Sequence, residues 1–316
     1  MSPFPELSPK YVDPHVYPAG VAYQHKQYIP VSEAKISALD YGFLHSDATY
    51  DTVHVWQGAF FRLDLHLDRF FANLERLRMR ISYDRGEVRR IVHNCVALSG
   101  HRNAYVEMLC TRGGSPVFSR DPRDSINRFA AFAVPFGSVA NVEQLERGLH
   151  LQITGVQRIP TQSVDPSIKN YHWLDLIEGL YQAYDQGAEN ALLIDGRGNI
   201  TEGPGFNVFA LCEGRLVTPL AGVLPGITRR TVLEICNSLD IPAMASDLST
   251  LSLRQASEVF ITSTAGGVIP VTKLDGQAVG LGRPGPVTER IRQAYWDWHR
   301  DPRYSETVAY PYSEQT

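Results

Sequence analysis

Two short stretches near the middle of this chain decide how it is interpreted, Asp165-Pro166-Ser167-Ile168-Lys169-Asn170 and Thr201-Glu202-Gly203-Pro204-Gly205-Phe206-Asn207-Val208-Phe209. Each places one ionisable side chain among residues that favour turns. The amine of Lys169 can join a carbonyl carbon, and the carboxylate of Glu202 can hold a proton on a heterocyclic nitrogen. The two stretches therefore predict one site in which both side chains serve the same small molecule.

An imine-forming lysine and an acidic partner for a ring nitrogen are the two protein groups that pyridoxal 5′-phosphate requires. With these residues the chain resembles the pyridoxal-phosphate aminotransferases of fold type IV, the class of the branched-chain and D-amino-acid aminotransferases. The resemblance covers nearly the whole chain. It implies that Lys169 is the catalytic residue and that Glu202, in a Glu-Gly-x-x-x-Asn-x-Phe motif, pairs with the cofactor ring. Pro204 departs from the family, whose members often carry Ser there.

The same resemblance implies a set of ligands for the cofactor phosphate. Arg69 ends a segment similar to the family's Arg-Leu-x-x-His-x-x-Arg, and a planar guanidinium suits bidentate binding of phosphate. Ile227 and Thr228 follow Gly226 in a stretch similar to the family's phosphate cup, where a helix start offers free N–H groups and a hydroxyl. Ser263-Thr264-Ala265-Gly266-Gly267 is similar to the family's Thr-Thr-Ala-Gly-Gly turn, and Ser263 keeps the hydroxyl of the threonine it replaces.

Other segments indicate which subfamily the chain resembles. Amino-acid-specific relatives commonly show Gly-Asp-Gly-x-Tyr-Glu where this chain has His45-Ser46-Asp47-Ala48-Thr49-Tyr50-Asp51. That departure, with Val55-Trp56, Tyr105-Val106-Glu107 and Lys169-Asn170, resembles the (R)-selective amine transaminases. The match implies an apolar substrate pocket shaped by His45, Tyr50, Val53, Tyr105, Trp173, Thr264 and Ala265.

One pocket must then accept both an apolar amine and the carboxylate of a keto acid. A mobile arginine would meet this need by swinging toward the carboxylate and away from an aryl or alkyl group. The long polar loop between Thr111 and Arg128 offers two candidates, Arg120 and Arg123, and we place Arg120 first. A loop of that length inside a compact domain is usually functional or mobile.

The expected reaction is ping-pong transfer of an amino group from an apolar primary amine to a 2-keto acid such as pyruvate, with Lys169 as general base and acid. A D-amino-acid or branched-chain aminotransferase is the nearest alternative, because it shares every cofactor residue. A lyase resembling aminodeoxychorismate lyase is a further alternative of the same fold. A cofactor-free binding protein, in which Lys169 and Glu202 are accidental, is the third.

The composition of the chain limits the kinds of molecule that it is expected to bind and the compartment in which it is expected to lie. The net charge is −4 and the basic residues are scattered, so the basic stripe that nucleic-acid binding needs is lacking. No apolar run approaches the roughly 20 residues that cross a membrane, and the N-terminus does not read as a secretory signal. Four widely spaced cysteines are typical of reduced thiols in a cytoplasmic protein. Relatives build their sites from two subunits, so the resemblance implies a homodimer.

Periodicity predicts an α+β architecture in two domains, a smaller N-terminal α/β sandwich and a larger cofactor-binding domain. The resemblance implies that the larger domain holds a mixed β pseudo-barrel with helices. We expect the small domain over residues 1–134 with an extended arm over 1–20, a linker over 135–146, and the large domain over 147–316. Predicted strands cover 21–29, 52–62, 104–110, 129–134, 149–154, 191–194, 208–212 and 259–262. Within the second of these, Gln57-Gly58 predicts a hairpin turn. Helices are predicted around 67–77, 88–96, 173–184 and 286–300, with another that starts at Thr228 as N-cap.

Overall fold

The computed structural model describes residues 19–310. The predicted extended arm lies outside the described residues except for its last two positions. The first part of the chain contains β1 (Val21–Gln24), β2 (Gln27–Pro30), α1 (Tyr41–His45), β3 (Ala48–Trp56), β4 (Ala59–Phe61), α2 (Leu63–Arg76), α3 (Arg85–Ser99), β5 (Ala104–Gly114) and β6 (Ile126–Pro135). The remainder contains α4 (Val142–Arg147), β7 (Leu149–Gln157), α5 (Leu174–Asp185), β8 (Asn190–Ile194), β9 (Asn207–Cys212), β10 (Arg215–Pro219), α6 (Ile227–Ser238), β11 (Ala243–Ser246), α7 (Thr250–Arg254), β12 (Glu258–Ser263), β13 (Gly267–Leu274), β14 (Gln277–Ala278), α8 (Pro286–Trp298) and β15 (Ser305–Thr307).

The first sheet is antiparallel and has the strand order β15-β4-β3-β5-β6-β1-β2. Helices α2 and α3 pack on it, and their apolar stripes enter a core that includes Leu67, Phe70, Val92 and Val106, each fully buried. The 3.6-residue periodicity of both helices explains this burial, because each helix presents one apolar face to the sheet. The predicted sheet with two packed helices is confirmed.

Turn chemistry explains one correct and one wrong prediction in this sheet. Gln57 and Gly58 have φ of 51° and 83° and join β3 to β4, as the sequence predicted. The predicted continuous strand over residues 21–29 is wrong, because His25 and Lys26 form a second tight turn with φ of 52° and 64°. Neither residue is Gly, Asn or Asp, so the sequence carries little signal for that hairpin.

The second sheet is mixed, with the strand order β11-β10-β9-β12-β13-β7-β8 and β14 paired to β13. Strand β7 runs parallel to β8 and β13, β10 runs parallel to β11, and the other pairs are antiparallel. Isolated bridges Ile194↔Ile200 and Asn199↔Ser249 connect the region of β8 to the residues after β11. The two edges of the sheet are thereby linked, which agrees with the expected pseudo-barrel.

Helices cover this second sheet. Helix α5 packs on β7 and β8, α6 contacts α8, β11 and β12, and α8 packs on β12 and β13. The buried centre includes stacked rings of Phe209 and Phe260, whose centroids lie 4.9 Å apart. These strands are nearly continuous apolar runs because the sheet is buried.

The chain divides into two compact units that are not simple halves of the sequence. Among the described residues, the first contains 19–137, Ile168–Tyr171 and 299–310, and the second contains Ser138–Ser167 and His172–Trp298. The last segment joins the first unit because β15 pairs with β4. The expected boundary at residue 147 had assigned both late segments to the large domain. The expected linker is also not a plain connection, because α4 begins within it at Val142.

Within residues 19–310, no helix combines the length and the apolar character that crossing a membrane requires.

The predicted long polar loop between Thr111 and Arg128 is shorter than expected. Strand β5 extends to Gly114 and β6 begins at Ile126, with a 3₁₀ helix, Pro122–Asp124, between them. The strands lengthen because a bulge between Thr111 and Gly114 lets the polar end of β5 continue to pair with β6.

Gly113 should be required for that bulge. Its φ is 73°, and a Cβ atom there would lie 1.8 Å from the carbonyl oxygen of Ile126. Gly214 has a similar φ of 78° with open space around it. A substitution there therefore adds backbone strain without a steric clash, and it serves as the control. We expect Gly214→Ala to lower the free energy of unfolding by about 1 kcal/mol and Gly113→Ala to lower it by roughly 1–3 kcal/mol more. Urea denaturation of both variants measures this, and equal losses would contradict the assigned clash.

Candidate active site

Lys169 lies in a segment that adds to the first sheet at the edge of β3. Strand β4 pairs with β3 only at Val55 and Trp56, so the beginning of β3 has an open edge. The carbonyl oxygen of Lys169 accepts hydrogen bonds there from the Thr49 hydroxyl at 2.7 Å and the Tyr50 N–H at 3.3 Å. Asn170 forms an antiparallel bridge with Thr49. The backbone of Lys169 is therefore fixed by the first unit.

The side chain of Lys169 lies against aromatic rings. Its Nζ atom is 4.3 Å from the centre of the Tyr50 ring, which is within cation–π range. The Tyr171 ring stacks on Tyr50, with centroids 4.3 Å apart and planes 21° from parallel. Tyr50, a predicted pocket residue, thus neighbours the predicted catalytic lysine.

A buried carboxyl group, that of Glu107, belongs to the same neighbourhood. Its Oε1 accepts a 2.9 Å hydrogen bond from the Tyr171 hydroxyl, and the Tyr105 and Thr52 hydroxyls lie 3.4 Å from Oε2. Burial raises the pKa of Glu107, although the Tyr171 hydrogen bond and the charge of Lys169 act in the opposite direction. Tyr105, predicted for the pocket, is therefore close to Tyr171 and Glu107.

Val53, also predicted for the substrate pocket, does not lie with Tyr50 and Tyr105, so that prediction is corrected. Successive side chains of a strand point to opposite faces, and Val53 is on the face opposite Tyr50. It is fully buried in the core between the sheet and helices α2 and α3.

Arg69, the predicted phosphate ligand, makes an ion pair that the sequence did not indicate. Its Nε and Nη2 atoms donate to the two oxygens of Asp51 at 2.7 and 2.9 Å, and His66 Nδ1 lies 2.7 Å from Asp51 Oδ1. Burial alone would raise the pKa of Asp51, but Arg69 and His66 hold it far below its usual value. The fork of Arg69 is thus oriented by a buried carboxylate, and its contact with phosphate stays a prediction.

The remaining candidates of the first unit are exposed. His45 is the last residue of α1, and its ring lies 4.7 Å from that of Tyr41. Arg123 is held by Asp121, with Nε 2.9 and 3.0 Å from the two carboxylate oxygens. Arg120 forms no ion pair with a carboxylate in the described part of the chain. Of the two arginines, Arg120 is the one whose side chain can move without breaking such a pair.

In the second unit, Glu202 is buried and well supplied with hydrogen-bond donors. Its Oε1 accepts from Nη2 and Nε of Arg158 at 3.0 and 3.2 Å. Its Oε2 accepts from the Leu224 N–H at 2.9 Å and from Asn207 Nδ2 at 3.4 Å. Arg158 also donates to Asp175 at 2.5 Å. Burial alone would lower the pKa of Arg158, but the two carboxylates raise it.

The predicted phosphate cup forms the start of helix α6, but its cap differs from the expectation. Gly226, not Thr228, is the N-cap residue, and no side chain caps this helix within the described residues. Ile227 and Thr228 therefore occupy the first turn, where N–H groups have no intrahelical acceptor. A Cβ atom on Gly226 would lie 2.1 Å from Asn207 Oδ1, so only glycine allows this close approach.

The turn after β12 joins the same group of residues. The Ser263 hydroxyl donates to the Gly205 carbonyl at 2.9 Å and accepts from the Ala265 N–H at 3.1 Å. Ser263 therefore ties the Glu202 loop to this turn. The half-buried side chain of Thr264 has no hydrogen-bond partner among the described residues. Trp173 packs against the core beneath α5, and its Cη2 would lie 3.6 Å from a Cβ atom on Gly205.

The donor set of the second unit fits the expected cofactor. An uncapped helix start with N–H groups and the Thr228 hydroxyl suits a phosphate dianion. Glu202 supplies the carboxylate that a protonated ring nitrogen needs.

Several residues of these clusters were missed from the sequence. Arg158 follows β7 outside any recognised motif, so nothing marked it as the partner of Glu202. Asp51 lies in the segment that departs from the family pattern, and nothing in the sequence indicated that it pairs with Arg69. Tyr171 carried a usable signal, because it is an aromatic residue two positions from Lys169.

Comparison with known proteins identifies the family of this chain. Residues 48–274 match the family model of amino-transferase class IV. A putative branched-chain-amino-acid aminotransferase of Methanocaldococcus jannaschii is 27% identical over 87% of this chain and 95% of its own. A D-alanine aminotransferase of Listeria monocytogenes is 28% identical over 83% and 90%.

A solved structure, the T.th. branched-chain amino acid aminotransferase with pyridoxamine 5′-phosphate, superposes with a TM-score of 0.86. It is 26% identical and covers 93% of this chain and 100% of its own. The expectations of a fold type IV architecture and of an aminotransferase are confirmed. The chain belongs to the class IV aminotransferases.

Proposed function

We propose that this protein is a pyridoxal-phosphate-dependent, (R)-selective amine transaminase that moves an amino group from an apolar primary amine to a 2-keto acid such as pyruvate. Class IV membership supports transamination, and a structural relative is described with the aminated form of the cofactor. When bound, pyridoxal phosphate supplies an aldehyde that joins amines and a ring that withdraws electrons.

Each part of the cofactor has a proposed protein partner. Lys169 would hold the aldehyde covalently, and Glu202 would accept the proton of the ring nitrogen. Arg69, the first turn of α6 at Ile227 and Thr228, and the Thr264 hydroxyl would bind the phosphate. Because Ser263 Oγ already bonds Gly205 and Ala265, we assign Ser263 to shaping the turn rather than to a free phosphate contact.

Lys169 then works as an acid and base. Once a substrate amine has taken its place, its free Nζ can remove the proton from the amine-bearing carbon and return a proton later. The hydrogen bonds from Thr49 and Tyr50 to the Lys169 carbonyl oxygen keep the backbone fixed while the side chain moves. Transfer in two half-reactions gives ping-pong kinetics.

The observation that carries the amine specificity is the aromatic surface beside Lys169. Its Nζ lies 4.3 Å from the centre of the Tyr50 ring, on which the Tyr171 ring stacks. The buried carboxyl group of Glu107 binds the Tyr171 hydroxyl, so that polar group is taken up and the ring faces remain for an apolar amine. Tyr50 and Tyr105 add aromatic surface for an aryl or alkyl group. The preference for (R)-amines rests on the resemblance of Tyr105-Val106-Glu107 and Lys169-Asn170 to that subfamily.

A D-amino-acid or branched-chain aminotransferase is the second candidate, since relatives of both kinds match most of this chain. All the cofactor residues proposed above serve that reaction equally well. A lyase related to aminodeoxychorismate lyase is less favoured, and release of pyruvate without an amino acceptor would indicate it. A homodimer and a cytoplasmic location remain predictions.

Donor specificity tests the proposal. We expect (R)-1-phenylethylamine with pyruvate to react at least about tenfold faster than its (S) enantiomer or L-leucine with pyruvate, and than D-alanine with 2-oxoglutarate. The (S)-amine presents the wrong face, and D-alanine and L-leucine lack the aryl group that would cover Tyr50 and Tyr105. The measurement is initial rate by ketone or keto-acid release. A faster reaction with D-alanine, or with L-leucine and 2-oxoglutarate, would establish the second candidate instead.

Arg120 and Arg123 provide a variant and a matched control for testing how the carboxylate of pyruvate is bound. Arg120→Ala should raise the KM for pyruvate about tenfold and leave the KM for the amine unchanged, because a guanidinium–carboxylate contact is lost. Arg123→Ala is the control, since its side chain is engaged with Asp121. Steady-state kinetics with each substrate varied separates the effects. If both variants weaken amine and pyruvate equally, the assigned role of Arg120 is wrong.

A further inference from the structure

A groove in the first unit lies among residues that the proposed reaction does not use. It has a volume of about 1280 Å³ and runs between the end of α2, the segment that follows as far as Tyr83, and the residues joining β5 to β6. Small-molecule sites in proteins have volumes of several hundred Å³ or more, so this groove can hold a ligand of that size.

The floor of the groove is apolar. Its lining includes Phe71, Leu74, Leu77, Met79, Ile81 and Tyr83. Leu74 and Met79 are buried and belong to the core of the first unit, so the floor is a fixed surface. Such a surface favours an aromatic or aliphatic group over water.

Four arginines also line the groove, and two of them are occupied elsewhere. Arg112 is held by Asp47, with Nε 2.8 Å from Oδ2, and donates to the Leu77 carbonyl at 2.8 Å. Arg123 is held by Asp121. Both serve the fold, because the first closes the end of α2 and the second stabilises the 3₁₀ helix.

The other two, Arg78 and Arg80, are exposed and make no ion pair or side-chain hydrogen bond with the described residues. Glu75 is the acidic residue among those that line the groove, and it forms no ion pair with either. The Arg80 backbone is fixed by a 2.7 Å bond from its N–H to Asn127 Oδ1. Arg78 and Arg80 carry two positive charges and Glu75 carries one negative charge, so the exposed edge of the groove is positive.

We propose that this groove binds a small organic anion with an apolar body, its charged group held by Arg78 and Arg80 and its body on the apolar floor. A guanidinium is suited to carboxylate, sulfonate and phosphate groups because its N–H donors form a planar fork. Charge complementarity and the apolar floor together favour such an amphipathic anion over inorganic phosphate or a neutral aromatic compound.

Arg78 offers a variant that separates binding from folding. It has φ of 54° directly after the end of α2, a left-handed position where glycine is usually favoured. Arg78→Gly therefore removes the cation and relieves backbone strain, so its melting temperature should stay the same or rise. Arg80→Gln removes the second cation, and Arg90→Gln removes an exposed arginine of α3 that does not line the groove.

The test uses fluorescence titration of the full-length protein, loaded with its cofactor, with 8-anilinonaphthalene-1-sulfonate. N-phenyl-1-naphthylamine is the matched neutral probe, since it has the same rings without the sulfonate. We expect the anionic probe to bind about tenfold more tightly, and Arg78→Gly and Arg80→Gln each to weaken it about threefold. The neutral probe should be unaffected by either variant, and Arg90→Gln should change neither probe.

Three results would overturn the proposal. The first is equal affinity for the two probes, and the second is unchanged binding of the anionic probe in the Arg78→Gly and Arg80→Gln variants. The third is a loss in Arg90→Gln as large as in the other two, which would indicate general attraction to a basic surface.

Discussion

The hydrogen bonds that the Lys169 carbonyl oxygen accepts from Thr49 and Tyr50 are the constraint on which the proposed chemistry depends. Lys169 lies well beyond the end of β6 in sequence, yet its segment occupies the open edge of β3 and belongs to the first unit. This placement brings its amine to the face of Tyr50 and into the field of Glu107. A lysine on a free loop would have neither neighbour, and its backbone would not be fixed while its side chain exchanges partners.

In the second unit, the main constraint is the burial of the Glu202 carboxylate. An unpaired charge away from water is costly, so Glu202 needs donors on both oxygens. Arg158 supplies one side, and the Leu224 N–H with Asn207 supplies the other. Asn207 also donates to the Leu224 carbonyl at 3.0 Å, so the acid and the start of α6 are held by one amide. Ser263 connects the Glu202 loop to the turn after β12, and three separate motifs thereby become one rigid group.

Much of this could be predicted from sequence, and the failures have physical reasons. Helices α2 and α3 were predictable because their apolar periodicity is strong, and Gln57-Gly58 is a recognisable turn. The His25-Lys26 turn carries no such signal. The position of Val53 could have been predicted correctly, since strand alternation already separates it from Tyr50. Arg158 and the Asp51–Arg69 pair depend on contacts between segments distant in sequence, and one sequence does not reveal which charges meet.

The most direct test of the account is to identify the lysine that binds the cofactor. The chain contains five lysines, Lys10, Lys26, Lys35, Lys169 and Lys273, so the assignment is unambiguous by mass. The protein is saturated with pyridoxal phosphate, reduced with borohydride, digested and analysed by mass spectrometry, with Lys169→Ala as the control. The account predicts a phosphopyridoxyl group on Lys169 that the control lacks. A stoichiometric label on another lysine, or none on the saturated protein, would contradict it.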